Sequence, residues 1–537
     1  MPIPLSLTEA LQALANGSIS SAELTREVIA TADAHDAQLG VFVSRFEDEA
    51  LKAAQAADVA RAAGDRRPLL GIPIGIKDII STVEGETTAQ SAVHDRSQLS
   101  GDAPAVQRLR DAGAVIVGKT TTLEFAFGAP DMDTPFPIPR NPWRLDRWAG
   151  GSSSGSGAGV ASGMMLGSLG TDTGASVRMP AALCGISGMK PTFGLVPKAG
   201  CVPLGFTLDH VGPMARTAED CSVMLTVLAG WDPEDVSSSA HVMTPKLALA
   251  VDRLDGLRVG VDTLSRFAGS AEDAALPSLF AESVDTLRTA GATVVEVNLP
   301  YYREVAAAAV ITILSEGLTY HLPDLQTRWA DYGSSARIGF ASGAFATAVD
   351  YVQAQRVRRV AQRAVAELFE GVDLILTPTV SRPAPLITKI DAYLGTLFEG
   401  REFAHHTSYW DAVGNPALSV PIGFSNDGLP LAAQIIGRPF EDATVLHVGS
   451  AYQRATDWHT RLPKFAAGGP DESSAEVPAC STEHSVARSL LGLLGIEPAL
   501  ADTAAVHQAL AAVRHNADLL HGVAGARYED PILTFAP

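Results

Sequence analysis

The sequence predicts an α/β body with helices packed around one sheet, and three stretches carry that expectation. The segment AVQRLRDAGAVIVGKTT reads as a helix, a glycine and a buried strand, which is half of a βαβ unit. GLRVGVD at 256–262 and VDLILTPTV at 372–380 read as further strands, with mostly helical spacing between them over roughly 271–370. NPALSVPIG followed by LPLAAQIIG reads as a strand pair near the end of the main body.

The elements follow in order. SLTEALQALANGSISSAELTREVIATADAHD predicts two helices: Ser6 with Glu9 has the spacing of a capping box, and Ser21 with Leu24 and Val28 opens a second apolar stripe. A third helix is expected through roughly 45–63. LLGIPIGIKDII is an apolar, glycine-containing segment with Lys77 at its centre. From about 134 to 215 the chain is rich in glycine, proline and serine, but apolar pieces such as VASGMML and ALCGISG interrupt it, as they would not in a flexible linker. The main body is expected over 1–467, the stretch AAGGPDESSAEVPAC at 466–480 reads as linker, and the linker is bounded at 468–483. A helical tail follows over 484–537, with two helices across 484–525 and a closing extended arm. Two helices of this size need a surface on which to bury Leu490, Leu491, Val513 and Leu520.

The 537 residues carry 40 basic and 60 acidic side chains, a net charge of −20. That balance disfavours nucleic acid or an anionic membrane as the main partner. No basic n-region or convincing membrane span is evident, and none of the four cysteines (Cys184, Cys201, Cys221 and Cys480) has metal-site spacing. A cytoplasmic protein with reduced thiols, no metal and no cofactor is the expectation.

GGSSSGSGAG at 150–159 admits three readings. It can be a loop. It can be a nucleophile elbow, since Gly151 to Gly155 satisfies GxSxG, although RNPWRLDRW before it is poor strand material. Or it can cooperate with the second glycine-rich stretch, GTDTGASVRMPAALCG at 170–185, whose backbone N–H groups can converge on a developing oxyanion beside Ser176. Serine needs a base. None of the thirteen histidines sits in a suggestive motif nearby. Lys77 among isoleucines is the alternative, because desolvation favours neutral lysine; a snorkelling lysine or an ion pair with Asp78 would look the same.

Taken together, GIPIGIKD, GGSSSGSGAG, GTDTGASVRMPAALCGISGMKPTFG and LDHVGPMART resemble the amidase signature family over roughly residues 5–467. The resemblance implies a single mixed β-sheet surrounded by helices, and hydrolysis of a small-molecule amide by a Ser–cisSer–Lys triad. Carried over by motif, Ser176 is the nucleophile, Ser152 the bridging serine after a cis Gly151–Ser152 bond, and Lys77 the base. The backbone N–H groups of Thr173, Gly174, Ala175 and Ser176 would form the oxyanion hole. Ser153 is expected to hydrogen-bond around Ser152, and Asp172 and Arg178 to brace the nucleophile loop; Glu124 is given a structural role. Phe127, Met132 and Phe136 are candidate pocket residues. Ala175 and Ser154 stand where the family pattern has glycine, which leaves open whether Ala175 is strained or merely narrows the site.

The aromatic, proline-rich TPFPIPRNPWRLDRW favours an apolar or aryl amide, with carbamates and urea-like amides also in range. The alternative within the family is the glutaminase A subunit of the glutamyl-tRNA(Gln) amidotransferase. A catalytically idle scaffold would not need Lys77, Ser152 and Ser176 together. The tail is similar to the small C-subunit-like module of some family members, which implies docking on its own chain or at the interface of a homodimer.

Overall fold

Short apolar runs bounded by glycine and proline become the strands of one sheet. In chain order the strands are β1 (Phe42–Arg45), β2 (Pro73–Lys77), β3 (Val115–Thr120), β4 (Arg140–Asn141), β5 (Arg144–Trp148), β6 (Gly167–Asp172), β7 (Ser187–Lys190), β8 (His210–Ala215), β9 (Arg258–Val261), β10 (Thr293–Glu296), β11 (Leu374–Pro378), β12 (Ala417–Phe424) and β13 (Pro430–Ile436). β4 and β5 form a separate two-stranded ribbon. The others make one mixed sheet, eleven strands among the described residues, in the spatial order β1-β3-β2-β6-β8-β7-β12-β13-β11-β9-β10. The computed structural model describes residues 6–132, 134–241, 243, 253–268, 272–390, 406–465, 484–499 and 502–531. The expected linker over 468–483 and the end of the expected arm, from 532, lie outside them, as does Cys480; Cys184, Cys201 and Cys221 are free thiols.

The central strands are buried along their whole length, which is why β2, β3 and β13 read as continuous apolar runs rather than alternating ones. β6 lies parallel to β2, with Ile76 opposite Leu169, so both strands deliver their C-terminal ends to the same edge of the body. Lys77 ends β2 and Asp172 ends β6.

The first helix, Leu7–Ala15, starts at the Ser6–Glu9 capping box. The second, Ser21–Leu39, is capped one residue earlier than its apolar stripe suggests, by Ser20 with Glu23. The third spans Glu47–Ala62. The region 271–370 is mainly helical, as Leu276–Thr289, Tyr302–Thr327, Ser334–Ser342 and Ala348–Gly371, but it also contains the largely exposed strand β10. Tyr302–Thr327 is long and apolar enough to pass as a membrane span by composition, with mean hydropathy 1.4; 67% of that window is buried inside the fold, so it reads as a core helix.

The segment RLDRW, which lacks strand-like alternation, is strand β5 all the same, paired with β4 rather than with the central sheet. GGSSSGSGAG then runs into a buried helix, Ser154–Ser162. Close packing explains its glycines: a Cβ on Gly155 would sit 2.2 Å from the carbonyl oxygen of Val41. A linker would make no such demand.

The tail helices His484–Leu493 and Thr503–His521 dock on their own chain: the second packs against Tyr302–Thr327, Ser334–Ser342 and Ala348–Gly371, and the first against the second and the turn Gly343–Phe345. Leu491, Ile496, Val506, Val513, Ala517 and Leu520 are buried there. Polar groups fix the dock. Asp502 accepts hydrogen bonds from Trp329 Nε1 (3.0 Å) and Arg337 Nε (3.0 Å), and Asp350 accepts from Arg514 Nη1 (3.1 Å) and pairs with His521 Nε2 (2.9 Å).

Candidate active site

The site is built around Lys77, whose surroundings follow from its strand. With Ile74 and Ile76 on a strand buried on both faces, the side chain is fully buried. Its Nζ donates to Ser152 Oγ at 2.7 Å and to Thr171 Oγ1 at 2.7 Å. Burial lowers its pKa to about 7, against the pull of Asp172 and Asp209. Lys77 does not use Asp78 as a counter-ion; Asp78 faces Lys119, 3.4 Å away, on the neighbouring strand.

Ser152 follows a cis Gly151–Ser152 bond and is 1% exposed. It borders a cavity of about 100 Å³ together with Ser176, Thr173, Gly174 and Ala175. The rest of the wall is apolar, including Leu123, Phe127, Trp148, Met179, Val310 and Ile313, and no ionisable side chain lines it among the described residues. Ser176 is partly exposed, and its hydroxyl has no hydrogen-bond partner among the described residues.

The loop that carries Ser176 is held by charge. Asp172 Oδ1 accepts the Ser176 N–H at 2.8 Å, and Asp172 Oδ2 accepts from Arg178 Nε at 2.8 Å. Burial alone would raise the Asp172 pKa, but Arg178 outweighs it and holds the carboxyl below its ordinary value. Arg178 also donates to Asp411 Oδ2 (2.6 Å) and to the carbonyl of Thr407 (2.9 Å). Thr407 Oγ1 donates to the carbonyl of Gly174 at 2.6 Å, and Thr173 Oγ1 to Asp209 Oδ1 at 2.6 Å. The loop is therefore gripped on both sides.

Two expected assignments change. The motif places the Ser176 N–H among four oxyanion donors, but Asp172 already occupies it. The N–H groups of Thr173, Gly174 and Ala175 have no acceptor among the described residues and can still donate. Ser153 Oγ does not bond Ser152; it donates to the Thr171 carbonyl and accepts the Thr171 N–H, both at 3.2 Å. Ser153 thus ties the cis turn to strand β6 at the residue that also receives Lys77. Ala175 lies outside the left-handed region, so its methyl carries no backbone strain and simply forms part of the wall.

Of the three pocket candidates, Phe127 lines this cavity. Met132 is 66% exposed, and Phe136 lines a separate hollow beside Glu124 and Asp131. Glu124 accepts from Ser91 Oγ (2.5 Å) and the Gly333 N–H (2.8 Å), a bracing pattern, and burial raises its pKa to about 7. Sequence reasoning missed Thr171 and Trp148. Thr171 could have been found from its position two residues beyond Leu169, which faces Ile76 one residue before Lys77.

Comparison with known proteins finds similar sequences and similar folds. The amidase family model matches residues 23–446, which leaves the tail helices outside the match. The glutamyl-tRNA(Gln) amidotransferase A subunit of Roseiflexus sp. (strain RS-1) is 41% identical over 483 residues, covering 86% of this chain and 98% of the relative. Among solved structures, an inhibitor-bound complex described as a vestigial protein complex revealing the origins of an s-triazine catabolic enzyme has a TM-score of 0.76 at 33% identity, covering 84% of this chain and 98% of that one. Native peptide amidase from Stenotrophomonas maltophilia has a TM-score of 0.74 at 29% identity, covering 86% and 100%.

Proposed function

The chain belongs to the amidase family, whose members hydrolyse amide bonds, and we propose that it does so through an acyl-enzyme on Ser176. One observation carries this reading: the 2.7 Å contact between the buried Lys77 amine and Ser152, beside a cavity that Ser176 shares. Neutral Lys77 takes the Ser152 proton as Ser152 takes that of Ser176, and Ser176 Oγ bonds to the amide carbon. Thr173, Gly174 and Ala175 N–H groups hold the oxyanion. The relay then returns its proton to the leaving nitrogen as the C–N bond breaks, since an unprotonated amine leaves poorly. Water repeats the cycle and releases the carboxylic acid.

For the substrate, the amidotransferase relatives support the side-chain amide of glutamine ahead of the aryl amides that the aromatic content suggests. A second reading, a self-contained hydrolase of small or urea-like amides, is favoured by the tail, whose helices cover the catalytic body from within the same chain. Fusing such a module makes its docking intramolecular. Ammonia or amine release by the isolated full-length chain, from glutamine and from aliphatic, aryl, carbamate and urea amides, separates the two. Turnover of glutamine alone supports the first, and turnover of small amides without glutamine supports the second. No Ser176-dependent release from any of them would contradict both.

A further inference from the structure

We propose that Asp502, in the tail, is a positioning residue that sets substrate specificity: through Arg337 and the helix Ser334–Ser342 it fixes Phe127 in the wall of the catalytic cavity. That helix is held from two sides. On the outer side, Asp502 accepts from Arg337 Nε at 3.0 Å and Nη2 at 3.1 Å, and from Trp329 Nε1 at 3.0 Å. On the inner side, the helix carries the wall. Ser335 Oγ accepts the Ala129 N–H at 2.8 Å, and Gly128, at φ +78°, passes so close to that hydroxyl that a Cβ would collide with it. The Phe127 ring rests on the backbone of Gly339, where a Cβ would strike the ring, and its centroid lies 4.9 Å from that of Phe340. Phe127 and Gly128 both border the cavity that holds Ser152 and Ser176. Glu124 and Asp131 tie the start of the helix to the same loop, through the Gly333 N–H (2.8 Å) and Ser334 Oγ (3.0 Å).

The path from Asp502 to the wall is short. Two parallel hydrogen bonds fix both the direction and the reach of the Arg337 guanidinium, and Arg337 stands two residues before Gly339 on the same helix. Without Asp502 the outer face of the helix is released, and the ring that rests on its inner face is released with it. The triad stands on other supports: Lys77 ends β2, and the Ser176 loop is gripped by Asp172, Arg178 and Thr407. The device therefore acts on binding and leaves the proton relay alone. A wall already in place favours amides whose large apolar group fills the cavity, whereas a loosened wall has to be ordered as such a group binds. The family match ends at residue 446, so Arg337 and Phe127 lie inside it and Asp502 outside. The tail thus adds a control that the matched region does not itself contain.

This rests on the Ser176 acyl-enzyme but on neither choice of substrate above. The probe is p-nitrophenyl benzoate, an activated ester with a ring on each side of its carbonyl, used on the full-length chain. Stopped-flow release of p-nitrophenolate separates the saturating acylation rate, the half-saturating concentration and the burst amplitude, which counts working sites. Asp502→Ala is expected to raise the half-saturating concentration about three- to tenfold and to change the saturating rate by less than about twofold. In the Phe127→Ala background the same substitution should have no further effect, because the wall it acts on is gone. A lower amplitude at an unchanged half-saturating concentration would mean that the tail only stabilises the fold, and would overturn the proposal. So would an effect that persists in Phe127→Ala. A burst that is missing in wild type, or that survives Ser176→Ala, sinks the catalytic reading; a normal Ser176 burst with an unchanged half-saturating concentration sinks only the role of Asp502. If Asp502→Ala fails to fold, Ser335→Ala decides, since it removes the Ala129 contact and leaves the tail dock intact. The same rise in half-saturating concentration supports the proposal, and an unchanged value overturns it.

Discussion

Two buried lysines end two strands of the same sheet, Lys77 on β2 and Lys190 on β7, and burial lowers both to about 7. Their neighbourhoods differ. The Lys77 amine meets the hydroxyls of Ser152 and Thr171. The Lys190 amine meets His210 Nε2 at 3.1 Å and the Pro191 carbonyl at 3.0 Å, behind the Asp172–Arg178–Asp411 network. Burial shifts the two alike; what each amine touches decides whether it can pass a proton. Lys77 has a serine that leads to the cavity, whereas Lys190 has an imidazole that burial keeps neutral.

The comparison can be broken at its end point first. Ser176→Ala should remove the acyl-enzyme adduct seen by mass spectrometry and lower kcat/KM by at least about 10⁴-fold. Lys77→Met should cost about 10²- to 10⁴-fold in kcat, the range of a positioned base. Lys190→Met, tested in the same assay, should cost less than about tenfold, because no proton transfer passes through it; a loss as large as that of Lys77→Met would erase the distinction.

Both lysines should leave a stability signature that does not depend on chemistry. Each folded-state pKa is depressed, so between about pH 7 and 10 the unfolded chain binds protons that the native chain does not. Unfolding free energy should therefore rise with pH across that window, and either lysine-to-methionine variant should flatten the rise in urea titrations. Asp502→Ala, remote from both lysines, is the control. Losing its Trp329 and Arg337 contacts should loosen the tail, at a cost of about 1–3 kcal/mol, and speed proteolysis within 484–531, while the pH dependence of catalysis stays the same.

Much of this is legible in the sequence, for physical reasons. β3, β11 and β13 read correctly as strands because they are buried on both faces and therefore mainly apolar, whereas β2, buried in the same way, is legible only as an apolar segment around Lys77. The glycine run is readable as something other than a linker because apolar pieces interrupt it. What fails is proximity. Met132 and Phe136 lie near Phe127 in sequence but turn to solvent and to another hollow. Thr171 looks like a loop residue in GTDTG, and only the parallel pairing of β6 with β2 brings it to Lys77. RLDRW lacks the alternation of a half-buried strand because it pairs in a small ribbon, where four of its five residues are partly exposed. The tail helices are legible from their apolar stripes, but the surface they cover is not, since Trp329, Arg337 and Asp350 carry no mark of it in sequence.

The most direct measurement is the rate of Ser176 acylation against pH in wild type, Lys77→Met and Lys190→Met. Wild type and Lys190→Met should both gain rate as pH rises through about 7, where Lys77 loses its proton, and the residual rate of Lys77→Met should lack that limb. A limb near 7 that persists without Lys77 and vanishes without Lys190 would contradict the account.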